Sequence, residues 1–224
     1  MGMTGPGYPV RPNPQAKRRP VWVVGGVTIL TFVALLYVIE AWDQVSGEHL
    51  ENNGIRPLET DGLTGILFAP LLHANWGHLA ANTVPALVLG FLVTLAGLSR
   101  FIWATAVIWF LGGFGTWLIG NIGAPPGVET NHIGASGLIF GWLTFLIIFG
   151  FFTRHAWQIT VGIVVLFVYG GILWGALPGT FGVSWQGHLC GGIAGVVAAY
   201  LLSGPERKAR EKSKNPTQLP YYKS

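Results

Sequence analysis

The chain has 224 residues, of which 51% are hydrophobic and only 10% charged, against about a quarter charged in soluble globular proteins. So few charges cannot cover a water-soluble surface of this size, which excludes an ordinary soluble enzyme or binding module and makes lipid the solvent for much of the chain. The net charge of +4 does not point to nucleic acid. Its bases flank apolar runs: Arg11, Lys17, Arg18 and Arg19 precede the first, and Arg207, Lys208, Arg210, Lys212, Lys214 and Lys223 follow the last. That is the pattern of cytoplasmic flanks beside anionic lipid. The single cysteine, Cys190, allows no intrachain disulfide, and no Cys/His set has structural zinc spacing.

In chain order, residues 1–19 are rich in Pro, Gly and base and read as a disordered cytoplasmic tail. Pro20 to Ala41 is apolar and covers about 30 Å as a helix. Its basic front resembles a signal peptide, but Glu40, Ala41, Trp42 and Asp43 follow in place of a cleavage site, so it reads as a retained first span. Residues 42–72 are the longest polar stretch between spans, and within them Leu63 to Leu72 is apolar but too short to cross. This segment reads as an interfacial element. Five further spans are expected at Trp76–Leu98, Phe101–Ile119, Ser136–Phe152, Trp157–Leu177 and Gln186–Leu202. Glycines 162, 170 and 171 interrupt the fifth. From Ser203 the chain is again basic and reads as a disordered tail. The expected architecture is therefore an all-α integral membrane protein, a six-transmembrane-helix bundle over residues 20–203, with basic tails at 1–19 and 204–224. With both termini cytoplasmic, Arg56 is the only one of thirteen Lys and Arg residues outside, and Glu206 and Glu211 are the only two of nine acids inside. The cell membrane, crossed six times, is the expected location.

Polar residues at the ends of spans are where function is sought. Three clusters open the even-numbered spans and so share one depth, at the outer side: His73, His78 and Asn82; Gly134-Ala135-Ser136-Gly137; and Gln186-Gly187-His188. Ser136 opens a helix, where free N–H groups and the helix dipole favour an activated oxygen and an oxyanion; the alternative is a helix cap flanked by packing glycines. His188, Gly191 and Gly195 recur at three- and four-residue steps, which puts them on one helix face stripped of side chains. A close neighbour on that face brings the imidazole to Ser136 as its base; the alternative is a histidine packed on a helix-dimer face. His78 and Asn82 share a face, and both can donate to an oxyanion, while His73 ties down the loop before them. His73, His78 and His188 could also form a zinc site, but their spacing and the lack of a helical Glu do not match a zinc-protease helix. His132 reads as solvated or substrate-facing. No Asp or Glu lies in spans two to six, so a Ser-His dyad is expected in place of a triad.

Together, His73-x4-His78-x3-Asn82, Gly134-Ala135-Ser136-Gly137 and His188-x2-Gly191-x3-Gly195 resemble the rhomboid family of intramembrane serine proteases, over about residues 20 to 203. The resemblance implies a basic bacterial six-span rhomboid-like fold. It makes Ser136 the nucleophile and His188 the general base. It assigns His78, Asn82 and the Ser136 backbone N–H to an oxyanion hole. It places Phe140 where the family often packs an aromatic on the imidazole, and it leaves Gly134, Gly137, Gly191, Gly195 and His73 as supporting residues. One departure is Ile55-Arg56 where the family often has Trp-Arg. The implied partners are transmembrane protein substrates and the bilayer, without nucleic acid, metal or cofactor; the oligomeric state is left open. The alternatives are a non-catalytic rhomboid-like protein that binds membrane clients, and a small transporter or channel, which lacks support from any internal repeat. Span four, at seventeen residues, reaches only about 25 Å, so Ser136 is expected below the outer surface, with the loop at Ala124-Pro125-Pro126-Gly127 dipping in to line a wet cavity. The loop Pro178–Ser184 with span five is the expected gate.

Overall fold

The computed structural model of the protein describes residues 19–179 and 182–214. Among them, six helices are long and apolar enough to cross a membrane: Val21–Ser46, Trp76–Leu95, Leu98–Ile119, Ser136–Thr153, Ala156–Ala176 and Trp185–Leu202, here spans one to six. The chain is thus an all-α multi-pass membrane protein. The expected tails at 1–18 and 215–224, and residues 180 and 181 of the expected gate, lie outside the described residues.

Local chemistry explains the span ends. Span one runs five residues beyond the expected Ala41 and stops at Gly47, in the left-handed region at φ 67°, where glycine carries no side-chain penalty. Asn75 caps span two by accepting the His78 N–H at 2.9 Å, and Ser184 caps span six by accepting the Gly187 N–H at 3.1 Å. Span five is α-helical only to Tyr169 and tightens into a 3-10 helix over Gly170–Ala176, where the glycines interrupt its pattern.

Span four is the central helix. Trp142, Phe145, Leu138 and Leu143 on it are fully buried. Spans four and six approach through glycine, as the repeated spacing on span six predicts. A Cβ on Gly191 would overlap the Gly137 carbonyl, and one on Gly195 would overlap the Gly141 carbonyl and the Thr144 hydroxyl. Thr144 Oγ1 donates to the Gly192 carbonyl across the same seam at 2.7 Å. Such contact replaces the hydrophobic effect, which is weak between helices in lipid, with dispersion and interhelical hydrogen bonds.

The stretch before span two is ordered as short apolar helical turns over Asp61–Leu71, near the Leu63–Leu72 segment expected to be too short to cross. Arg56 pairs with Glu59 at 2.8 Å and with Asp61. Span three anchors this loop with two indoles: Trp109 Nε1 donates to the Ile66 carbonyl at 2.7 Å and Trp117 Nε1 to the Glu59 carbonyl at 2.8 Å. The Ile55-Arg56 departure therefore does not leave the loop unanchored.

The C-terminal segment corrects the expectation of disorder after Ser203: Gly204–Lys214 is a helix. Glu206 pairs with Arg100, Arg207 lies 3.8 Å over the Tyr200 ring, and Arg210 donates to the Phe152 carbonyl at 3.3 Å. Its charges find partners on the ends of spans three, four and six, which a composition-based reading does not reveal. Those span ends, with Arg100 and Arg154, form a basic end of the bundle. The opposite end carries Glu48, Glu51, Glu59 and Asp61 with Ser136 and His188.

Candidate active site

Ser136 is the first residue of span four, and its side chain makes no cap; Ala135 holds the cap position. The hydroxyl instead meets His188, with Ser136 Oγ 2.8 Å from His188 Nε2. The glycine seam makes this possible, because spans four and six come close enough that residues at their first turns touch. His188 is 9% exposed and stacks on Phe140, ring centroids 4.1 Å apart and planes 10° apart, as expected of that aromatic.

The other imidazole nitrogen has a partner that no residue-type pattern could reveal. His188 Nδ1 lies 2.9 Å from the carbonyl of Gly175, in the 3-10 turn that closes span five. A carbonyl only accepts, so Nδ1 carries the proton and Nε2 is the bare nitrogen that accepts from the serine hydroxyl. The orphan carbonyls of a helix end carry partial negative charge. The Gly175 carbonyl thus occupies the side of the imidazole on which a triad has its carboxylate.

The His78 ring lies against Gly134, two residues before the serine. Its Nδ1 accepts the Ala74 N–H at 3.4 Å, which leaves Nε2 as the donor. Gly134 has φ +108°, and a Cβ placed on it would sit 2.8 Å from His78 Nε2 and 3.8 Å from Ser136 Oγ. Glycine at 134 thus serves both a backbone conformation that other residues avoid and the room that the His78 ring takes beside it. Asn82 is buried one turn below, with Nδ2 donating to the His78 carbonyl at 3.1 Å, so its amide is shared with the helix backbone. His73 is buried, and its Nε2 accepts the Ala135 N–H at a long 3.5 Å. Burial first, then His78 alongside with ring centroids 5.1 Å away, holds the His73 imidazole down at about 4. It is a neutral group that ties the first loop to the start of span four, as expected. The three histidines do not converge on one point: His188 turns both nitrogens to Ser136 and Gly175.

Two expectations change. His132 is not solvated but 7% exposed, because its backbone pairs with Ile55 in both directions, at 2.9 and 3.0 Å, and its ring is enclosed by spans three and six. Pro125 to Gly127 are exposed and do not line the cavity beside Ser136. The part of that loop that turns inward is His132–Gly134. With Ile108, Trp109 and Gly112 of span three it lines a cavity of about 50 Å³ beside Ser136.

The arrangement is a serine and a neutral imidazole at hydrogen-bond distance, on helix first turns, with a donor histidine and a small cavity adjacent. Comparison with known proteins bears on the fold that holds it. The Rhomboid domain family model matches residues 60–205, which takes in all three clusters. An uncharacterized protein of Mycobacterium tuberculosis is 70% identical over 207 residues, covering 91% of this chain and 86% of its own length. One of Mycobacterium leprae is 61% identical over 217 residues, covering 96% and 86%. A rhomboid-like protein of Acanthamoeba polyphaga mimivirus is 29% identical over 142 residues, covering 62% and 75%. With that match spanning spans two to six and the clusters within it, the chain belongs to the rhomboid family.

Proposed function

We propose that the chain is an intramembrane serine endopeptidase that cuts membrane-anchored proteins near the outer end of their transmembrane segment. The observation that carries this reading is the 2.8 Å contact between Ser136 Oγ and His188 Nε2, with His188 oriented from behind by Gly175. His188 Nε2 takes the hydroxyl proton as Ser136 Oγ attacks the carbonyl carbon of the scissile bond. The oxyanion receives hydrogen bonds from His78 Nε2–H and the Ser136 N–H, with Asn82 in support. The proton on His188 passes to the leaving amine, the C–N bond breaks, and an ester on Ser136 remains. Water, deprotonated by the same nitrogen, then releases the acid and regenerates the serine.

The charges support an orientation with both termini in the cytoplasm and the site opening outward. Arg100, Arg154 and the bases of the C-terminal helix share one end of the bundle, and Glu48, Glu51, Glu59 and Asp61 share the other. Ser136 lies at the start of a helix of 18 residues, about 27 Å long, which supports a site sunk below the outer surface. A helical client must unwind there, because its carbonyls are engaged and its unpaired groups are costly in hydrocarbon. Clients with Gly, Pro or polar residues in the outer third of the span therefore fit best, with a small residue such as Ala entering the cavity beside Ser136.

The test is the full chain in lipid vesicles, offered a fluorophosphonate probe and a panel of membrane-anchored segments. Covalent labelling and cleavage, both absent in Ser136→Ala, are the expected result. Labelling that persists in Ser136→Ala, or a wild-type chain inert to probe and segments alike, overturns the reading.

A further inference from the structure

His132 lies outside the proposed chemistry, yet it is a buried polar side chain that touches three segments. Its Nδ1 is 2.6 Å from Ser184 Oγ, the cap of span six. Its Nε2 is 3.2 Å from Thr130 Oγ1. Its backbone N–H and carbonyl both pair with Ile55 of the first loop. The hydrogen bonds have one consistent direction. Thr130 donates its hydroxyl to Asn121 Oδ1 at 2.7 Å, so its oxygen accepts from His132 Nε2–H. Nδ1 is then bare and accepts the Ser184 hydroxyl, while the Ser184 oxygen accepts the Gly187 N–H. Each group in the chain has a partner, with the ring neutral, the form that burial favours.

Ser136 follows His132 by four residues, and His188 follows Ser184 by four and bonds its N–H to the Ser184 carbonyl at 3.1 Å. One side-chain contact thus connects the segment that delivers the serine to the cap of the helix that delivers the histidine. Further along the seam the Phe140 ring stacks on His188 and the Thr144 hydroxyl bonds the Gly192 carbonyl, but neither of these holds the segment before Ser136 to the span six cap. We propose that His132 is a positioning residue that sets the register of Ser136 against His188 through Ser184, and with it the alignment for attack. The inference rests on the reading of Ser136 and His188 as the catalytic pair.

The experiment compares His132→Leu, His132→Asn and His132→Gln with wild type and Ser136→Ala, in the full chain in lipid. Fluorophosphonate labelling rate, kcat and KM on a segment cleaved by wild type, and thermal unfolding are measured together. Asn puts its amide oxygen where Nδ1 stands and can still accept from Ser184; Gln reaches only the Nε2 position. A misalignment of about 1 Å costs about 100-fold in rate, so His132→Leu is expected to lose about 10- to 100-fold in labelling rate and kcat, with KM changed far less. His132→Asn should recover most of that loss and His132→Gln little of it. Should His132→Leu fail to fold, the order of Asn above Gln decides. The proposal is overturned if folded His132→Leu labels as fast as wild type, or if Asn is no better than Gln. A wild-type chain that does not label, or labelling that survives Ser136→Ala, instead removes the catalytic pair, and this inference falls with it.

Discussion

Spans four and five follow one another in the chain and are almost equally apolar, with mean hydropathies of 1.9 and 2.1, yet 56% of the first is buried and only 11% of the second. The difference lies in what each offers a neighbour. Span four presents Gly137, Gly141 and Thr144 to a matching row on span six, and the two backbones touch. Span five packs closely only in its first half: a Cβ on Gly150 of span four would meet the Gln158 and Ile159 backbone at 2.6–2.8 Å, and one on Gly162 would meet the carbonyls of Leu146 and Ile147 at 2.9 and 3.0 Å. Its end at Gly170–Ala176 has tightened into a 3-10 helix with no buried residue. Hydropathy selects membrane; small residues in register select which helix forms the core. The proposed nucleophile and base sit on the tight pair, whereas the Gly175 carbonyl bonded to the base sits on the loose helix. Displacement of span five to admit a client would therefore carry the Nδ1 acceptor with it.

The sharpest test of this division is on the tight pair. His188→Ala should cost about 10⁴-fold or more in cleavage, and Ser136→Ala/His188→Ala should be no worse, because the two act as a unit. Single-turnover cleavage in vesicles measures both; a clearly additive double mutant would separate them. Next in size is Asn82→Ala, expected to lose at most about 2–4 kcal/mol of transition-state stabilisation, since other donors remain. Its kcat/KM against wild type reads that directly.

Gly191→Ala tests the seam itself. The new methyl meets the Gly137 carbonyl, and overpacking of this kind costs about 1–3 kcal/mol. Gly195→Ala should cost a similar stability, but with less loss of rate, because it lies a turn further from Ser136. Thermal unfolding alongside cleavage distinguishes them, and equal rate losses would mean that the seam acts only on folding.

A smaller effect is expected from pH. His73 is held at about 4 when folded, against an ordinary value of 6.5. Between those values the unfolded chain binds the extra proton, so stability rises with pH there. The contribution is fully present above about 6.5 and is lost as pH falls towards about 4. Unfolding of His73→Gln, followed from neutral to acid pH, should show a flatter dependence than wild type. Smallest of all is Gly171→Ala on span five, where an added Cβ meets nothing. Stability should change by no more than about 0.5 kcal/mol, and a large loss would show that span five is packed after all.

Within the site, the parts legible from sequence are those whose residue type and spacing express their role. Ser136 at a helix start and His188 above Gly191 and Gly195 predict a close pair, and Phe140 on the imidazole follows from the family resemblance. Gly175 was invisible, because it acts through a carbonyl that every residue possesses. Of the two readings of His132, solvated or substrate-facing, the solvated one fails, because the residue's burial depends on Ile55 and Ser184, far away in the chain. The order in Gly204–Lys214 is hidden for the same reason, since Glu206, Arg207 and Arg210 meet Arg100, Tyr200 and Phe152.

By itself the sequence determined that the chain lives in a membrane, how many times it crosses, and where its polar span ends fall. Those properties are sums over local residues: hydropathy accumulates along a helix, and charge accumulates along its flanks. Only the tertiary structure decided which nitrogen of His188 faces Ser136, which loop residues turn inward, and which apolar span is core and which is wall. Each of those depends on a contact between atoms distant in the chain, often a backbone carbonyl, and such a contact exists only once the helices have packed.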